Sequence, residues 1–198
     1  MSDALKPQKV PKAVKNFALV ILFLFSQFLY AAATYEDFVS KGNRNLKIIE
    51  RLYFKYPLAP VKRKIAFKII ENWNSITLQY PDANRNDRKT LYVNLKTEYS
   101  KSNSLLRDIS IELANLFDRT YNSIASRIID AELPTAQRND ALSRMQIAKQ
   151  EFARAEAGYR NKQFYYSSHL YDRSITILLN IYNTLNWEMP ASAIGIIL

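Results

Sequence analysis

The chain of 198 residues contains no cysteine, one histidine and three glycines. Without cysteine it can form no disulfide, no thiolate metal site and no cysteine nucleophile. A single histidine excludes most zinc sites and the usual histidine-based acid–base pairs. Three glycines are too few for phosphate-cradling loops or dinucleotide-binding fingerprints. These absences predict a protein that is not an enzyme and that holds no metal or other cofactor.

The chain is instead rich in basic residues and in tyrosine. It has 28 lysines and arginines against 18 aspartates and glutamates, for a net charge of +10, together with 13 tyrosines and 10 phenylalanines. Tyrosine joins an apolar ring to a polar hydroxyl group and is enriched where proteins meet. The composition therefore favours a structural or interaction protein.

Residues 1–33 have the pattern of a secretory signal peptide. Four lysines precede the apolar segment 17–30, which three alanines follow. As a helix that segment spans only ~21 Å, short of the ~30 Å hydrocarbon core of a bilayer. We expect cleavage after Ala33, with Ala31 and Ala33 in the peptidase pocket, and a periplasmic protein with no membrane span in the remaining chain. An uncleaved N-terminal anchor is the alternative, and it also places the rest outside the cytoplasm.

The remaining chain keeps a net charge of +7, because the leader removes four lysines and one aspartate. Despite this positive charge, we do not expect nucleic acid as a partner, because an exported protein works outside the cytoplasm. A basic run is formed by Lys62, Arg63, Lys64 and Lys68. It could bind acidic protein surfaces, anionic lipid headgroups or wall polymers, or it could be a solvated face that keeps the protein soluble.

Apolar residues recur at helical spacing after the leader and predict an all-α fold. We expect an elongated bundle of long antiparallel helices that forms a single domain over residues 34–190. Its parts are a helix pair at 34–80, one long helix or two at 87–131, a helical hairpin at 135–187 and an apolar tail at 191–198. The polar run 100–104 is where the long segment could bend or break. The second helix is expected to bury Val61, Ile65, Ile69, Trp73, Ile76 and Tyr80.

The hairpin is the most strongly specified element. Apolar or small residues recur three and four positions apart along both helices: Ala141, Met145, Ala148, Phe152, Ala155 and Tyr159, then Phe164, Ser168, Tyr171, Ile175, Leu178, Tyr182 and Leu185. Such seams pack in antiparallel pairs. Tyr165 and Tyr166 are adjacent, so they cannot both face the seam. We expect one of this pair, together with Trp187, to anchor a protein partner, and homo- or hetero-oligomers are possible.

Two groups of polar residues are candidates for catalytic or metal sites. His169 has no partner of the Glu-x-x-His kind that a di-metal bundle needs. We expect it to be a partly exposed polar residue. Ser167, Ser168 and Ser174 have no histidine or lysine that spacing brings near, and we expect them to let helices approach closely.

The segment 152–184 resembles a tetratricopeptide-type helical hairpin. Small Ala155, aromatic Phe164, small Ser167, aromatic Tyr171 and small Ser174 stand at the expected intervals. It departs from that motif at Gly158, where the first aromatic residue is expected, with Tyr159 one place late. One unit is present, whereas an array needs at least three. The resemblance implies an envelope adaptor or chaperone with a peptide-binding helical groove.

The chain as a whole resembles the exported, all-helical flagellar-coiling and sheath proteins of spirochaetes. The leader, the helices rich in tyrosine, asparagine and lysine, and the segments 138–144, 174–178 and 187–190 carry this likeness, mainly in the last third. The chain is shorter than those proteins. The resemblance implies a non-catalytic sheath component that binds filament subunits in the periplasm and affects filament shape and motility.

Overall fold

The computed structural model describes residues 35–56 and 58–188, and these residues form an all-α bundle without β-strands. The helices are α1 over residues 35–55, α2 over Pro60–Gln79, α3 over Arg85–Asp130, α4 over Thr135–Arg160 and α5 over Phe164–Thr184. The predicted all-α helical bundle is confirmed. The predicted cleavage site at Ala31 and Ala33 and the apolar tail 191–198 lie outside the described residues.

Contacts between Cα atoms divide the chain into two compact units, Met1–Lys41 and Gly42–Leu198. The described residues of the first unit are 35–41, where Lys41 Nζ pairs with Asp37 Oδ2 at 2.5 Å, one helical turn away. The packing described below belongs to the second unit.

Helix α3 is a single helix of 46 residues, about 69 Å long at 1.5 Å per residue. It begins at a capping residue, Asn84, whose side-chain oxygen accepts hydrogen bonds from the backbone nitrogens of Asn86 and Asp87, both at 3.0 Å. The polar run 100–104 does not interrupt it. Within that run, buried Ser102 accepts a hydrogen bond from Asn45 Nδ2 at 3.1 Å, so the run attaches α1 to α3.

Helices α4 and α5 form the predicted hairpin, joined by residues 161–163. Ala148 and Ala155 on α4 are fully buried, and these small side chains let the two helices approach. The rings of Phe152 and Tyr171 meet edge to face at 5.4 Å. Helix α5 also packs against α3, where the hydroxyls of Ser168 and Ser110 lie 2.9 Å apart.

Helix α2 is rotated relative to the predicted orientation. Its buried residues are Ala66, Ile69 and Trp73, whereas Val61 is 72% exposed and Ile65 is 47% exposed. The first half of the predicted buried face is therefore wrong. The rotation follows from Trp73, whose indole ring lies directly over Gly42 of α1 and whose Nε1 donates to Asn43 Oδ1 at 2.8 Å.

From Gly42 onward, α1 lies among α2, α3 and α5, with which Asn43, Asn45 and Arg51 form hydrogen bonds. Its buried side chains include Leu46, Ile49, Leu52 and Tyr56. Because one side of α1 meets the first half of α5, the exposed residues at that border form a groove.

Candidate binding groove

An open groove of about 880 Å³ runs between α1 and the first half of α5. Its walls are formed by Arg44, Lys47, Ile48, Glu50, Arg51, Phe54 and Lys55 on α1 and by Tyr165 and His169 on α5. We call these residues the basic groove. A space of this size is typical of sites that hold a ligand or a short segment of a partner.

Four cations line the α1 wall. Arg44, Lys47, Arg51 and Lys55 are separated by three, four and four residues, so a helix places them on one face. Glu50 is the single carboxylate among the lining residues. The α1 wall therefore presents hydrogen-bond donors and positive charge.

A buried carboxylate on α5 orients two of these cations. Asp172 accepts hydrogen bonds from Arg51 Nη2 at 2.9 Å and from Lys55 Nζ at 2.6 Å. It also accepts one from the Tyr56 hydroxyl at 2.7 Å. Burial raises the pKa of Tyr56, and the charge of Asp172 adds to the shift, so this hydroxyl stays a neutral donor. Asp172 thus fixes the Arg51 and Lys55 side chains, which would otherwise lose entropy on binding a partner.

The α5 wall contributes two rings. The Arg44 guanidinium lies 5.8 Å from the centre of the Tyr165 ring, within the range of a cation–π contact. Arg51 Nη2 lies 3.1 Å from His169 Nδ1, and because arginine only donates, Nδ1 is the acceptor. The expectation that His169 is a partly exposed polar residue agrees with its exposed position at this wall.

The positive charge and hydrogen-bond donors of the groove are suited to binding an anion. Its lining includes no serine, threonine or cysteine nucleophile. Within residues 35–56 and 58–188, no three histidine, aspartate or glutamate side chains are grouped as metal ligands. What the groove offers is four cations, two aromatic rings and an imidazole.

The three predicted aromatic anchors lie in different places. Tyr165 lines the groove and is 38% exposed. Tyr166 is 48% exposed and lies outside the groove, beside Gly158, where an added Cβ would lie 3.1 Å from its Cδ1 atom. Trp187 is partly buried and packs edge to face on Tyr182 at 6.1 Å. Of the three, Tyr165 alone belongs to the groove.

The predicted basic run on α2 also lies outside the groove. Lys62 forms an ion pair with Glu112 of α3. Arg63 donates to the backbone oxygen of Tyr53 at 3.0 Å. Lys64 and Lys68 are exposed and form no ion pair with any of the residues that the structure describes. The run is therefore divided between structural contacts and a separate surface.

Arg51, Lys55 and Phe54 of the groove are not among the residues predicted to bind a partner. The available signal is the spacing of the four cations, which places them beside the buried stripe that contains Ile49, Leu52 and Tyr56. That spacing identifies a charged helix face. It does not identify α5 as the opposite wall, which depends on contacts between residues 117 to 121 positions apart.

No family model, curated protein or solved structure matches the chain. Among the described residues, no helix is both long enough and apolar enough to cross a bilayer.

Proposed function

We propose that the protein is an exported, non-catalytic interaction protein that holds an acidic segment of a protein partner in the basic groove. The observation that carries the proposal is the row of four cations on α1 facing Tyr165 and His169 across an open cleft of 880 Å³. Charge of this kind mainly steers and orients a partner, while a few aromatic contacts supply most of the binding energy.

The dimensions of the groove define the segment that fits it. From Arg44 to Lys55 the α1 wall advances eleven residues, or about 16 Å. That length matches about three turns of a helix or about five residues of an extended strand. Carboxylates one turn apart on a helix would meet successive cations of the wall. An acidic amphipathic helix is therefore the best-fitting occupant.

The cellular setting is proposed from the sequence. The leader supports export to a periplasm, and the resemblance to flagellar-coiling proteins supports a sheath component whose partner is a filament subunit. The resemblance of α4 and α5 to a tetratricopeptide hairpin supports the second candidate, an envelope adaptor. The groove favours the adaptor, because it is an open cleft sized for a segment and α1 stands as a third helix beside that hairpin.

The proposed binding is tested with acidic and charge-neutral versions of one labelled amphipathic peptide and the full chain. Arg44→Glu/Lys47→Glu should weaken binding of the acidic peptide at least about tenfold, because it reverses two of the four groove cations. The matched control, Arg85→Glu/Lys89→Glu, makes the same charge change at the exposed start of α3 and should leave affinity within about twofold. Equal losses in both variants would show general charge attraction and contradict the groove proposal.

The proposed cellular setting is tested in cells by replacing Tyr165 with a photo-crosslinking residue. The control places the same residue at Ile147, an exposed position of α4. The adaptor proposal expects a partner captured at Tyr165 alone and recovered from the envelope. The sheath proposal expects that partner to be a filament subunit, with the protein co-purifying with flagella and altered motility on its loss. A freely soluble protein with no crosslink at Tyr165 would overturn both.

A further inference from the structure

Two phenylalanines protrude side by side from α1 and α2. Phe54 is 66% exposed and Phe67 is 51% exposed, and both line the shallow hollow between the two helices. Apolar side chains that protrude together mark a surface that meets another molecule. We call Phe54 and Phe67, with Arg63, Lys64 and Lys68, the α1–α2 ridge.

Basic side chains flank the two rings. Lys64 and Lys68 lie one helical turn apart and share a surface hollow with Phe67. On the other side of Phe54, the α1 cations Lys47 and Arg51 continue the positive charge. The carboxylates that line these hollows are Glu50 and Glu71, so cations outnumber carboxylates around the rings.

The shape of the ridge distinguishes a lipid surface from a folded protein partner. The hollow between the phenyl rings has only about 10 Å³ of accessible space, roughly the minimum that holds a single water molecule. Tight protein partners insert anchor side chains into pockets, and the ridge has no such pocket between its rings. A fluid bilayer needs none, because phenyl rings enter the headgroup boundary while lysines meet the phosphates.

We propose that the α1–α2 ridge docks on an anionic phospholipid surface. Its two phenyl rings enter the boundary between headgroups and acyl chains, and Lys64 and Lys68 contact lipid phosphates. The ridge and the basic groove meet at Phe54, which lines both, whereas Phe67, Lys64 and Lys68 lie outside the groove. The proposed lipid contact does not rest on the proposed peptide binding.

The absence of cysteine allows a local test on the full chain. An environment-sensitive fluorophore is attached to Ser75→Cys, whose parent residue lines the hollow with Phe67 and Lys68. The matched control is the same label on Ser143→Cys, at an exposed position of α4. Phosphatidylglycerol vesicles should shift the Ser75 label to the blue and leave the Ser143 label unchanged. Phosphatidylcholine vesicles should change neither.

Two ridge variants and one groove variant complete the test. Lys64→Glu/Lys68→Glu should lower partition onto the anionic vesicles by at least about 25-fold, since each basic residue near such a surface contributes roughly fivefold. Phe54→Ser/Phe67→Ser should abolish the blue shift, and Tyr165→Ala should leave both measurements unchanged.

The proposal is overturned if both labels respond equally, since the contact would then not be local to the ridge. It is also overturned if the blue shift survives the loss of both phenyl rings. A response of the Ser75 label to the acidic peptide and not to vesicles would make the ridge a protein-binding surface instead. Peptide binding that is lost in the Arg44→Glu/Lys47→Glu variant but kept in the Lys64→Glu/Lys68→Glu variant would separate the two sites.

Discussion

At the scale of single residues, the contact between Gly42 and Trp73 fixes how α1 and α2 meet. A Cβ atom at Gly42 would lie 1.9 Å from Cη2 of Trp73, a distance that no packed atoms tolerate. Trp73 is only 1% exposed and donates to Asn43 through its Nε1 atom. The indole therefore has no free space into which it can move, and glycine is required at this position for close approach rather than for backbone freedom.

Gly42→Ala should lower the free energy of unfolding by about 2 kcal/mol, because overpacking the core outweighs the better helix propensity of alanine. Chemical denaturation measures this loss. Gly158→Ala is the matched control, since its new Cβ would lie 3.1 Å from the half-exposed Tyr166 ring, which can move aside. An equal loss at both positions would contradict the explanation by close approach.

Two buried tyrosines of α1 differ in how their hydroxyls are satisfied. The Tyr53 hydroxyl has no hydrogen-bond partner among the described residues. The Tyr56 hydroxyl donates to Asp172 Oδ1 at 2.7 Å. A buried hydroxyl without a hydrogen-bond partner lowers the free energy of unfolding, whereas a buried hydroxyl bonded to a carboxylate raises it.

Tyr53→Phe should therefore keep or raise the free energy of unfolding, by up to about 1 kcal/mol. Tyr56→Phe makes the same chemical change and should lower it by about 2 kcal/mol, because it removes a hydrogen bond to a charged group. Urea denaturation of the two variants, side by side, checks the pair. A large loss in Tyr53→Phe would mean that its hydroxyl is bonded in solution.

At the scale of helices, the hairpin was predicted closely and α2 only in part. The regular spacing of Ala141, Met145, Ala148 and Ala155 identifies their buried face, and all four are buried. In α2 the spacing favoured Val61 and Ile65 over Ala66, yet Ala66 is buried. Periodicity ranks faces by hydrophobicity, whereas the rotation of α2 is decided by the fit of Trp73 over Gly42.

The polar run 100–104 lies inside the continuous helix α3, although its sequence suggests a possible break. Serine and asparagine compete with helical hydrogen bonding, so such a run marks a possible break. In α3 their side chains are used between helices, since Asn45 Nδ2 donates to Ser102 Oγ at 3.1 Å and to Asn103 Oδ1 at 2.9 Å. A polar run can thus be a buried contact, and the sequence alone does not distinguish the two.

The turn between α4 and α5 contains a strained residue. Lys162 has a φ angle of 59°, a left-handed conformation that costs a non-glycine residue about 1–2 kcal/mol. Lys162→Gly should raise the free energy of unfolding by about 0.5 kcal/mol, after the greater entropy of glycine in the unfolded chain is subtracted.

Thermal unfolding measures the effect of that change. The control is Asn161→Gly in the same turn, where φ is −82°, and there glycine should destabilise the protein. Stabilisation by both changes would indicate a loop that is not held in this conformation.

At the scale of the whole molecule, buried tyrosines couple stability to pH. Burial is the main cause that raises the pKa values of Tyr53, Tyr56 and Tyr171. The unfolded chain releases these protons near pH 10, about the ordinary value for tyrosine, while the folded chain keeps them to higher pH. Their contribution to stability is therefore complete below about pH 10 and is lost as the pH rises toward the folded pKa values.

The free energy of unfolding should fall as the pH rises above about 10. Lysine side chains also lose protons in this range. The informative quantity is therefore the difference between variants in the slope of the free energy of unfolding against pH. Tyr53→Phe should make the decline shallower by up to about 1.4 kcal/mol per pH unit. Urea denaturation at a series of pH values gives the slopes. Identical slopes in the unchanged protein and in Tyr53→Phe would contradict the coupling.

The sequence by itself determined the all-α class, the hairpin seam and the shortage of catalytic residue types, because helical periodicity and composition are local properties. Only the tertiary structure decided where binding surfaces form. Arg51 and Asp172 are 121 residues apart in the chain yet bonded at 2.9 Å. The groove exists because α1 packs beside α5, and the ridge exists because α1 and α2 bring Phe54 and Phe67 to the same hollow. Such relative positions depend on how side chains of distant segments fit together, which no local pattern encodes.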